Sequence, residues 1–262
     1  MGVTPSDLPG DIAGWPMLRV VYRTDPNRIA DLLPPGITPG EQPTVHVHFY
    51  QVPVQAEPEY GVVVKVRAAY DGVDGYYTLA LGIDQEQAIF ISQELNGQPK
   101  FPCAIDFYRL GSRVVARATH QGYTFVELGG DIGADVTSQW PAETTEHEFW
   151  LKYLRAVGGV EKQYDFPPHV VKVTSTSKID YVLDVEGELV LRDSPWDPVA
   201  ELLPVEEQVS ASLVKTTLDF SARSLTLAGP LDPDAFWPYA DTIGGSRWPG
   251  VSGGPRRRLA RP

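Results

Sequence analysis

The 262-residue sequence predicts a mainly β (α+β) fold, with a large antiparallel β-barrel-like core and a few peripheral helices. Glycine and proline number 24 each, which favours many turns and short strands over long helices. Strand-length apolar runs follow one another closely in hairpin order, a pattern typical of antiparallel barrels and sandwiches. Apolar residues make up 42 % of the chain, which is enough to bury a sizeable core.

The first half of the chain predicts strands with one short helix among them. Asp25 is a favourable N-cap, and Pro26 takes the preferred first position of a helix that runs to Leu33 and stops at Pro34. Asp71-Gly72 is the turn signal of a β-hairpin. The strands expected in this half are Met17–Tyr22, Thr44–Val54, Gly61–Tyr70, Tyr76–Leu81, Ala88–Ser92, Ile105–Leu110, Arg113–His120 and Gln121–Leu128.

The second half predicts one longer helix, Thr145–Val157. Thr145 and Glu148 have the spacing of a capping box, the apolar residues follow a helical period, and Gly158 suits the position after the last turn. A short terminal helix is expected at Asp232–Tyr239. The strands expected here are Val170–Ser175, Lys178–Val185, Glu188–Arg192, Val209–Leu218 and Ser221–Leu227.

The chain is expected to form a single domain, residues 17–243, between an irregular lead-in (1–16) and a flexible tail (244–262). The lead-in lacks the basic start and apolar core of a signal peptide, and no apolar run approaches 18 residues, so we expect no membrane span. A net charge of −12 argues against nucleic-acid or anionic-membrane partners. The single cysteine excludes an intrachain disulfide, and we expect a cytoplasmic protein.

The segment most suggestive of chemistry is SQELNGQPKFPCAID (Ser92–Asp106), centred on Lys100. The runs on either side of Lys100 are largely apolar, so the lysine is expected to be buried. Burial disfavours an ammonium ion and lowers the pKa of a lysine. An uncharged amine attacks a ketone and forms a Schiff base, whose protonated form accepts electrons. The competing interpretation from these residues alone is an exposed lysine in a turn framed by prolines.

Five colinear segments together resemble the acetoacetate decarboxylase superfamily over roughly residues 15–230. They are VYRTD (Val21–Asp25), DGVDGYY (Asp71–Tyr77), QELNGQPKFP (Gln93–Pro102), EFWLKYLR (Glu148–Arg155) and GELVLRDSPWDPVAELLP (Gly187–Pro204). The resemblance implies a barrel-like antiparallel core, a homo-oligomeric assembly and a Schiff-base lysine. In that family, the fourth segment is expected to be helical.

The resemblance also assigns candidate site residues. Lys100 falls on the Schiff-base lysine, Arg23 on an active-site arginine and Glu94 on an acidic position shortly before the lysine. Arg23 is expected to bind a substrate carboxylate, or else to form a structural ion pair. Glu94 is expected to act in acid–base chemistry or to position the lysine, or else to be a surface glutamate. Gln98 and Asn96 are expected to hydrogen-bond a substrate oxygen, or else to shape the turn at this point.

Two positions depart from the family pattern. The second lysine that follows the nucleophile in the decarboxylase is Phe101 here. The family's glutamate, about eleven residues before the hairpin glycine, corresponds to Gly61, while Glu59 lies two residues away. The sequence leaves open which of the two takes that position.

No metal or other cofactor is predicted. His46 and His48 share one strand face, but a metal site needs a third ligand, and the other histidines offer no fixed spacing. Cys103 is expected to be a small core residue.

The predicted function is that of a Schiff-base-forming lyase acting on a small oxo acid. Decarboxylation of a 3-oxo acid is the first expectation, because it is the reaction for which the family is named. A pyruvate-dependent aldolase-dehydratase is the alternative. A third possibility, from a different class, is a small-molecule binding protein without catalytic activity.

Overall fold

A computed structural model gives the structure of residues 16–54, 57–218, 223–240 and 248. The predicted lead-in and tail lie outside these described residues, except for Pro16 and Trp248. The strands are β1 (Met17–Arg23), β2 (Thr38–Pro39), β3 (Thr44–Val54), β4 (Glu57–Tyr70), β5 (Val73–Ile83), β6 (Lys100–Pro102), β7 (Ala104–Leu110), β8 (Arg113–His120), β9 (Tyr123–Asp135), β10 (Glu143–Arg155), β11 (Tyr164–Leu191), β12 (Glu207–Leu218) and β13 (Ser224–Pro230). The helices are α1 (Pro26–Leu32), α2 (Glu86–Asn96), α3 (Val199–Leu202) and α4 (Pro233–Ala240), with a 3₁₀ turn at Thr137–Gln139.

Seven strands close into a ring, in the order β10-β5-β4-β3-β1-β12-β11, because β10 pairs with both β5 and β11. Every pairing in the ring is antiparallel except that between β10 and β5. The long strand β11 continues past the ring and pairs with β9, which carries β8 and β7 beside it. The predicted mainly β fold with a large antiparallel barrel-like core is therefore confirmed.

Alternation along the strands gives the barrel an apolar face and a second face that carries buried charges. On β1, for example, Leu18, Val20 and Tyr22 are fully buried in the main hydrophobic core. Helices α1 and α4 contribute Ile29 and Phe236 to the same core. The site described below is built from the other face of the neighbouring strands β3, β4 and β5.

Local signals identified several elements correctly. The predicted helix at Pro26 is present, and its N-cap Asp25 accepts a hydrogen bond from the backbone N–H of Asn27 at 2.8 Å. The predicted hairpin turns at Asp71 and Gly72, both with positive φ, the combination that two-residue hairpins require.

The predicted helix at Thr145–Val157 is wrong, because this segment is strand β10. Its apolar residues lie on both faces: Phe149 enters the main core, while Trp150 packs with apolar residues of β11 on the other side. Two apolar faces leave no clean alternation, and the resulting pattern resembles a helical period. The expected capping box is unused, since Thr145 hydrogen-bonds Thr176 across the sheet.

The strand expected at Ala88–Ser92 is also wrong, because this run belongs to helix α2. Its β-branched and aromatic residues favoured a strand, yet only Ala88 and Ile89 are buried. In addition, the three strands expected between residues 170 and 192 are one continuous, irregular strand, β11, with register shifts along its length. Within the described part of the chain, the helices are too short or too polar to cross a membrane.

Candidate active site

The end of helix α2 determines where Lys100 lies. Gly97 ends the helix in the left-handed conformation (φ 67°), and its N–H donates to the carbonyl oxygen of Gln93. A Cβ at Gly97 would stand 2.3 Å from the carbonyl oxygen of Leu151, so both the backbone angle and the space require glycine. The chain then turns back and adds strand β6 beside β5, with Lys100 next to Leu81.

Lys100 is buried and paired with a carboxylate. Its side chain is 9 % exposed, and its Nζ donates to Oε2 of Glu59 at 3.0 Å. Glu59 is 3 % exposed, and its other oxygen accepts a hydrogen bond from the Tyr50 hydroxyl at 2.9 Å. Burial, reinforced by the Glu59 charge, raises the pKa of Tyr50 well above its ordinary value, so this hydroxyl stays a donor. The sequence predicted that Lys100 is buried, but among apolar groups. The structure places a buried carboxylate, that of Glu59, beside it.

Glu59 and Gly61, the two candidates for the family's glutamate position, make different contacts in the structure. Residues two apart on a strand share a face, so Glu59 and Gly61 both lie on the side of β4 that meets Tyr50. A Cβ at Gly61 would lie 2.2 Å from the Tyr50 ring, so Gly61 makes room for the tyrosine. Glu59 supplies the carboxylate that contacts Lys100.

A cavity of about 1390 Å³ opens beside Lys100. Its wall contains residues from β5, α2, β6, the β8–β9 turn and β10, together with Trp196 and Tyr239. Gln98, Phe101 and Arg155 also line it. The sequence contained no signal for this wall, because its parts come from segments far apart in the chain.

The same wall contains His120, which is paired with the fully buried Asp197. His120 lines the cavity, and its Nδ1 lies 2.6 Å from Oδ2 of Asp197. The His120 ring packs edge-on against Phe101, at 4.9 Å between ring centroids, and against Trp196 at 6.0 Å. Phe101, which stands where the family carries its second lysine, therefore connects the lysine segment to this pair.

The sequence-predicted residues fall into two groups. Lys100 and Gln98 line the cavity. Arg23, whose side chain is 49 % exposed, pairs with Glu207 and does not line the cavity. Glu94 is exposed on α2, and Asn96 ends that helix; neither lines the cavity.

These placements change the roles the residues can fill. The arginine in the cavity wall is Arg155, and the carboxylate at the lysine is that of Glu59. Gln93, which precedes Glu94, lines the cavity and donates to the backbone oxygen of Lys100 at 2.6 Å. Cys103 is buried as predicted, and it also lies in the cavity wall.

A second polar cluster lies further along β4, around Lys65. The Nζ of Lys65 is 2.9 Å from Glu148 and 3.6 Å from Glu146. His46 and His48 flank it, with ring centroids 6.2 Å apart. Burial, followed by the Lys65 and Arg67 charges, lowers the pKa of His46 to about 3, so this ring is uncharged at neutral pH.

Fold and site together define a barrel-like α+β protein in which a buried lysine–glutamate pair borders a large cavity. The family model for acetoacetate decarboxylase (ADC) matches residues 2–227 of the sequence. The chain therefore belongs to the acetoacetate decarboxylase family.

Two relatives carry the same name, acetoacetate decarboxylase. The protein from Streptomyces nogalater is 28 % identical over 237 residues, which are 82 % of this chain and 90 % of that protein. The protein from Paraburkholderia phytofirmans is 38 % identical over 87 residues, which are 32 % of this chain and about a third (33 %) of the relative's length.

Solved structures share the fold. Acetoacetate decarboxylase from Legionella pneumophila superposes with a TM-score of 0.69 at 17 % identity, covering 82 % of this chain and 86 % of that one. An acetoacetate decarboxylase-like enzyme from Sphingomonas wittichii RW1 gives 0.66 at 20 % identity, covering 87 % and 98 %. The enduracididine biosynthesis enzyme MppR, complexed with the condensation product of pyruvate and imidazole 4-carboxaldehyde, gives 0.63 at 18 % identity, covering 80 % and 86 %.

Proposed function

We propose that the protein is a Schiff-base-forming lyase that acts on a small oxo acid, with Lys100 as the nucleophile. The observation that carries this proposal is that Lys100, buried and paired with Glu59 behind it, lines a cavity large enough for substrate. A lysine ammonium must lose a proton before it attacks a ketone, and Glu59 is placed 3.0 Å away to accept that proton. Tyr50 keeps the Glu59 carboxylate in position through its hydrogen bond.

The first reaction we propose is decarboxylation of a 3-oxo acid. The amine of Lys100 adds to the ketone carbon, water leaves, and a protonated imine forms. The bond to the carboxylate then breaks, its electron pair moves into the iminium, and carbon dioxide and an enamine result. Protonation at carbon and hydrolysis release the ketone and restore the lysine. The names of the curated relatives support this choice.

The second candidate is a pyruvate-dependent aldolase-dehydratase, and cavity size favours it. A volume of about 1390 Å³ exceeds the roughly 300–1,000 Å³ of usual small-molecule sites and far exceeds what a four-carbon acid fills. A second reactant, an aldehyde, would use that space. The fold neighbour MppR, with its bound product of pyruvate and an aldehyde, supports the same reading.

The substrate carboxylate needs a cation in the cavity. Arg23 lies outside the wall, whereas Arg155 is part of it. We therefore assign carboxylate binding to Arg155, with Gln98 as a hydrogen-bonding residue for a substrate oxygen. A homo-oligomeric assembly and a cytoplasmic location stay predictions from the sequence.

Trapping with borohydride tests the proposal directly. The protein is incubated with acetoacetate or pyruvate, reduced, and examined by peptide mass spectrometry; the expected adduct is on Lys100. The matched control is Lys178→Ala, which removes an exposed strand lysine and leaves the adduct unchanged. Absence of an adduct with every oxo acid in a panel would contradict the proposal.

The same panel separates the three functions. Carbon dioxide release identifies the decarboxylase, and ultraviolet absorbance of a conjugated product identifies the aldolase-dehydratase. The Lys100→Ala variant addresses the binding-protein alternative: a binding protein keeps most of its ligand affinity without the lysine, while the enzyme loses turnover.

A further inference from the structure

The pair formed by His120 and Asp197 has no part in the steps assigned to Lys100 and Glu59. His120 is the last residue of strand β8, and Asp197 lies 77 residues later, just before α3. His120 is 6 % exposed and Asp197 is fully buried. A buried histidine–aspartate pair whose histidine lines the same cavity as Lys100 calls for a chemical explanation.

Asp197 makes further hydrogen bonds in addition to its contact with His120. Its backbone N–H donates to the Ser194 hydroxyl at 3.1 Å, and the Trp248 indole N–H donates to its Oδ1 at 3.4 Å. A carboxylate only accepts hydrogen bonds, so Nδ1 of His120 carries the proton that it shares with Oδ2. The other ring nitrogen, Nε2, is then the one able to take up or release a proton, as in other carboxylate-oriented histidines.

The other titratable side chains in the wall are less suited to carrying a proton. Asp84 and Glu86 border the cavity but are exposed at the start of α2. Burial raises the pKa of Tyr153 to about 12, and that of Tyr77 further, so these hydroxyls do not accept protons at neutral pH. The imidazole of His120 has a ring nitrogen that can both take up and release a proton.

Glu59 acts at a different atom. It is bound to Nζ of Lys100 on one side and to the Tyr50 hydroxyl on the other, and neither Glu59 nor Tyr50 lines the cavity. The reacting carbon of the substrate is one bond beyond the imine carbon, inside the cavity that His120 lines. Glu59 is thus next to the lysine nitrogen, whereas the imidazole of His120 is in the wall of the cavity.

We propose that His120, oriented by Asp197, transfers the proton to and from the substrate carbon next to the imine carbon. This inference rests on the proposed Schiff-base function. In decarboxylation, the enamine carbon takes the proton from Nε2 of the imidazolium, which becomes a neutral imidazole. In the pyruvate reaction, neutral Nε2 removes a proton from C3 of the iminium, whose electrons form the enamine. Asp197 balances the imidazolium charge in both directions.

The test is exchange of carbon-bound hydrogen in heavy water, followed by NMR on acetone and pyruvate, alongside borohydride trapping. The variant is His120→Asn, because the asparagine amide can donate to Asp197 from the place of Nδ1 while nothing replaces Nε2. We expect exchange to fall by roughly 100-fold or more while trapping on Lys100 stays within about two-fold. Asp197→Asn is expected to lower exchange by roughly 100-fold or more as well, because asparagine no longer fixes the proton on Nδ1, again with trapping retained.

The matched control is His147→Gln, since His147 hydrogen-bonds Thr174 and does not line the cavity; its exchange and trapping should equal those of the wild type. Exchange that persists in His120→Asn overturns the inference. So does a loss of exchange that merely follows an equal loss of trapping, because the histidine would then be needed only for folding or imine formation. Failure of the wild-type protein to be trapped at all defeats the proposed function itself, which is a separate and recognisable result.

Discussion

Two buried lysines form ion pairs on the polar face of strand β4, at positions six residues apart on that strand: Lys65 itself and Glu59, the partner of Lys100. Lys65 lies on β4, and Lys100 lies against Glu59 of the same strand. Both are nearly inaccessible, with side chains 4 % and 9 % exposed, and both contact carboxylates within 3.0 Å. They differ in what surrounds the ion pair.

Lys65 does not line the cavity, whereas Lys100 does. Lys65 has two carboxylates, those of Glu146 and Glu148, lies 4.2 Å from the centre of the Tyr76 ring, and does not line the cavity. Burial by itself lowers the pKa of Lys65, but Glu148 and Glu146 outweigh it and raise the pKa above the ordinary value. Lys65 therefore remains charged and structural. The role proposed for Lys100 therefore depends on the cavity beside it, and not on burial, which the two lysines share.

The largest effect expected is that of Lys100→Ala. Without the amine no imine forms, so turnover should fall by at least about 10³-fold and the borohydride adduct should disappear. The measurement is steady-state turnover with the best oxo acid together with the adduct mass. Turnover that survives this change would mean that the two lysines do not differ in the way described.

Glu59→Gln is expected to have the next largest effect. Glutamine keeps one acceptor oxygen for Lys100, and its amide N–H can donate to the Tyr50 hydroxyl, but it cannot take up a proton, so the rate of adduct formation should fall by roughly 100-fold. Single-turnover trapping measures that rate. Glu57→Gln, an exposed change two residues earlier on β4, is the control and should leave the rate unaltered.

Lys65→Met should reverse the pattern, with a loss of stability and no loss of chemistry. Removing this cation leaves Glu148 without its ion pair and Glu146 with Arg19 alone, at a cost of roughly 2–3 kcal/mol, at or below the lower end of the range for fully buried pairs because both glutamates are partly exposed. Urea unfolding measures the change. Adduct yield per folded molecule should stay within about two-fold, and a large drop would show that Lys65 takes part in the chemistry.

The smallest effect is a pH dependence at Glu146. Burial by itself raises the pKa of Glu146, but Lys65 and Arg19 outweigh it and bring it below its ordinary value of 4.5. A depressed folded pKa contributes stability that is present above 4.5 and is lost as the pH falls through the folded value. The difference in unfolding free energy between the wild type and Glu146→Gln should therefore be constant near neutrality and shrink in acid. A difference that grows in acid would contradict the assignment.

Local chemistry made part of this structure predictable. The helix at Pro26, the hairpin at Asp71 and the strand at Thr44 follow from residues that are neighbours in sequence. Strand β10 could not be predicted in this way, because its apolar residues lie on both faces of the sheet. Its strand conformation depends on pairing with β5 and β11, which are distant in sequence.

Some residues of the candidate site could likewise be predicted from the sequence, and others could not. Lys100 stood out from its apolar neighbours, and Glu59 was an alternative to Gly61 because it lies two residues from the position at which the family carries a glutamate. Arg23 and Glu94 were assigned by position alone, and the structure places both outside the cavity wall. The pairing of His120 with Asp197 has no local signal, because it joins residues 77 positions apart through the packing of β8 against a distant loop.

The position of β1 in the ring has a consequence for biosynthesis. One edge of β1 pairs with β3, but the other joins Met17 to Val214 of β12. At about 5–20 residues per second, the ribosome needs roughly 10–40 s to make the chain between these partners. During that interval the nascent polypeptide carries an open strand edge that invites pairing with other chains. Slower induction or added chaperones should therefore improve the soluble yield of recombinant protein.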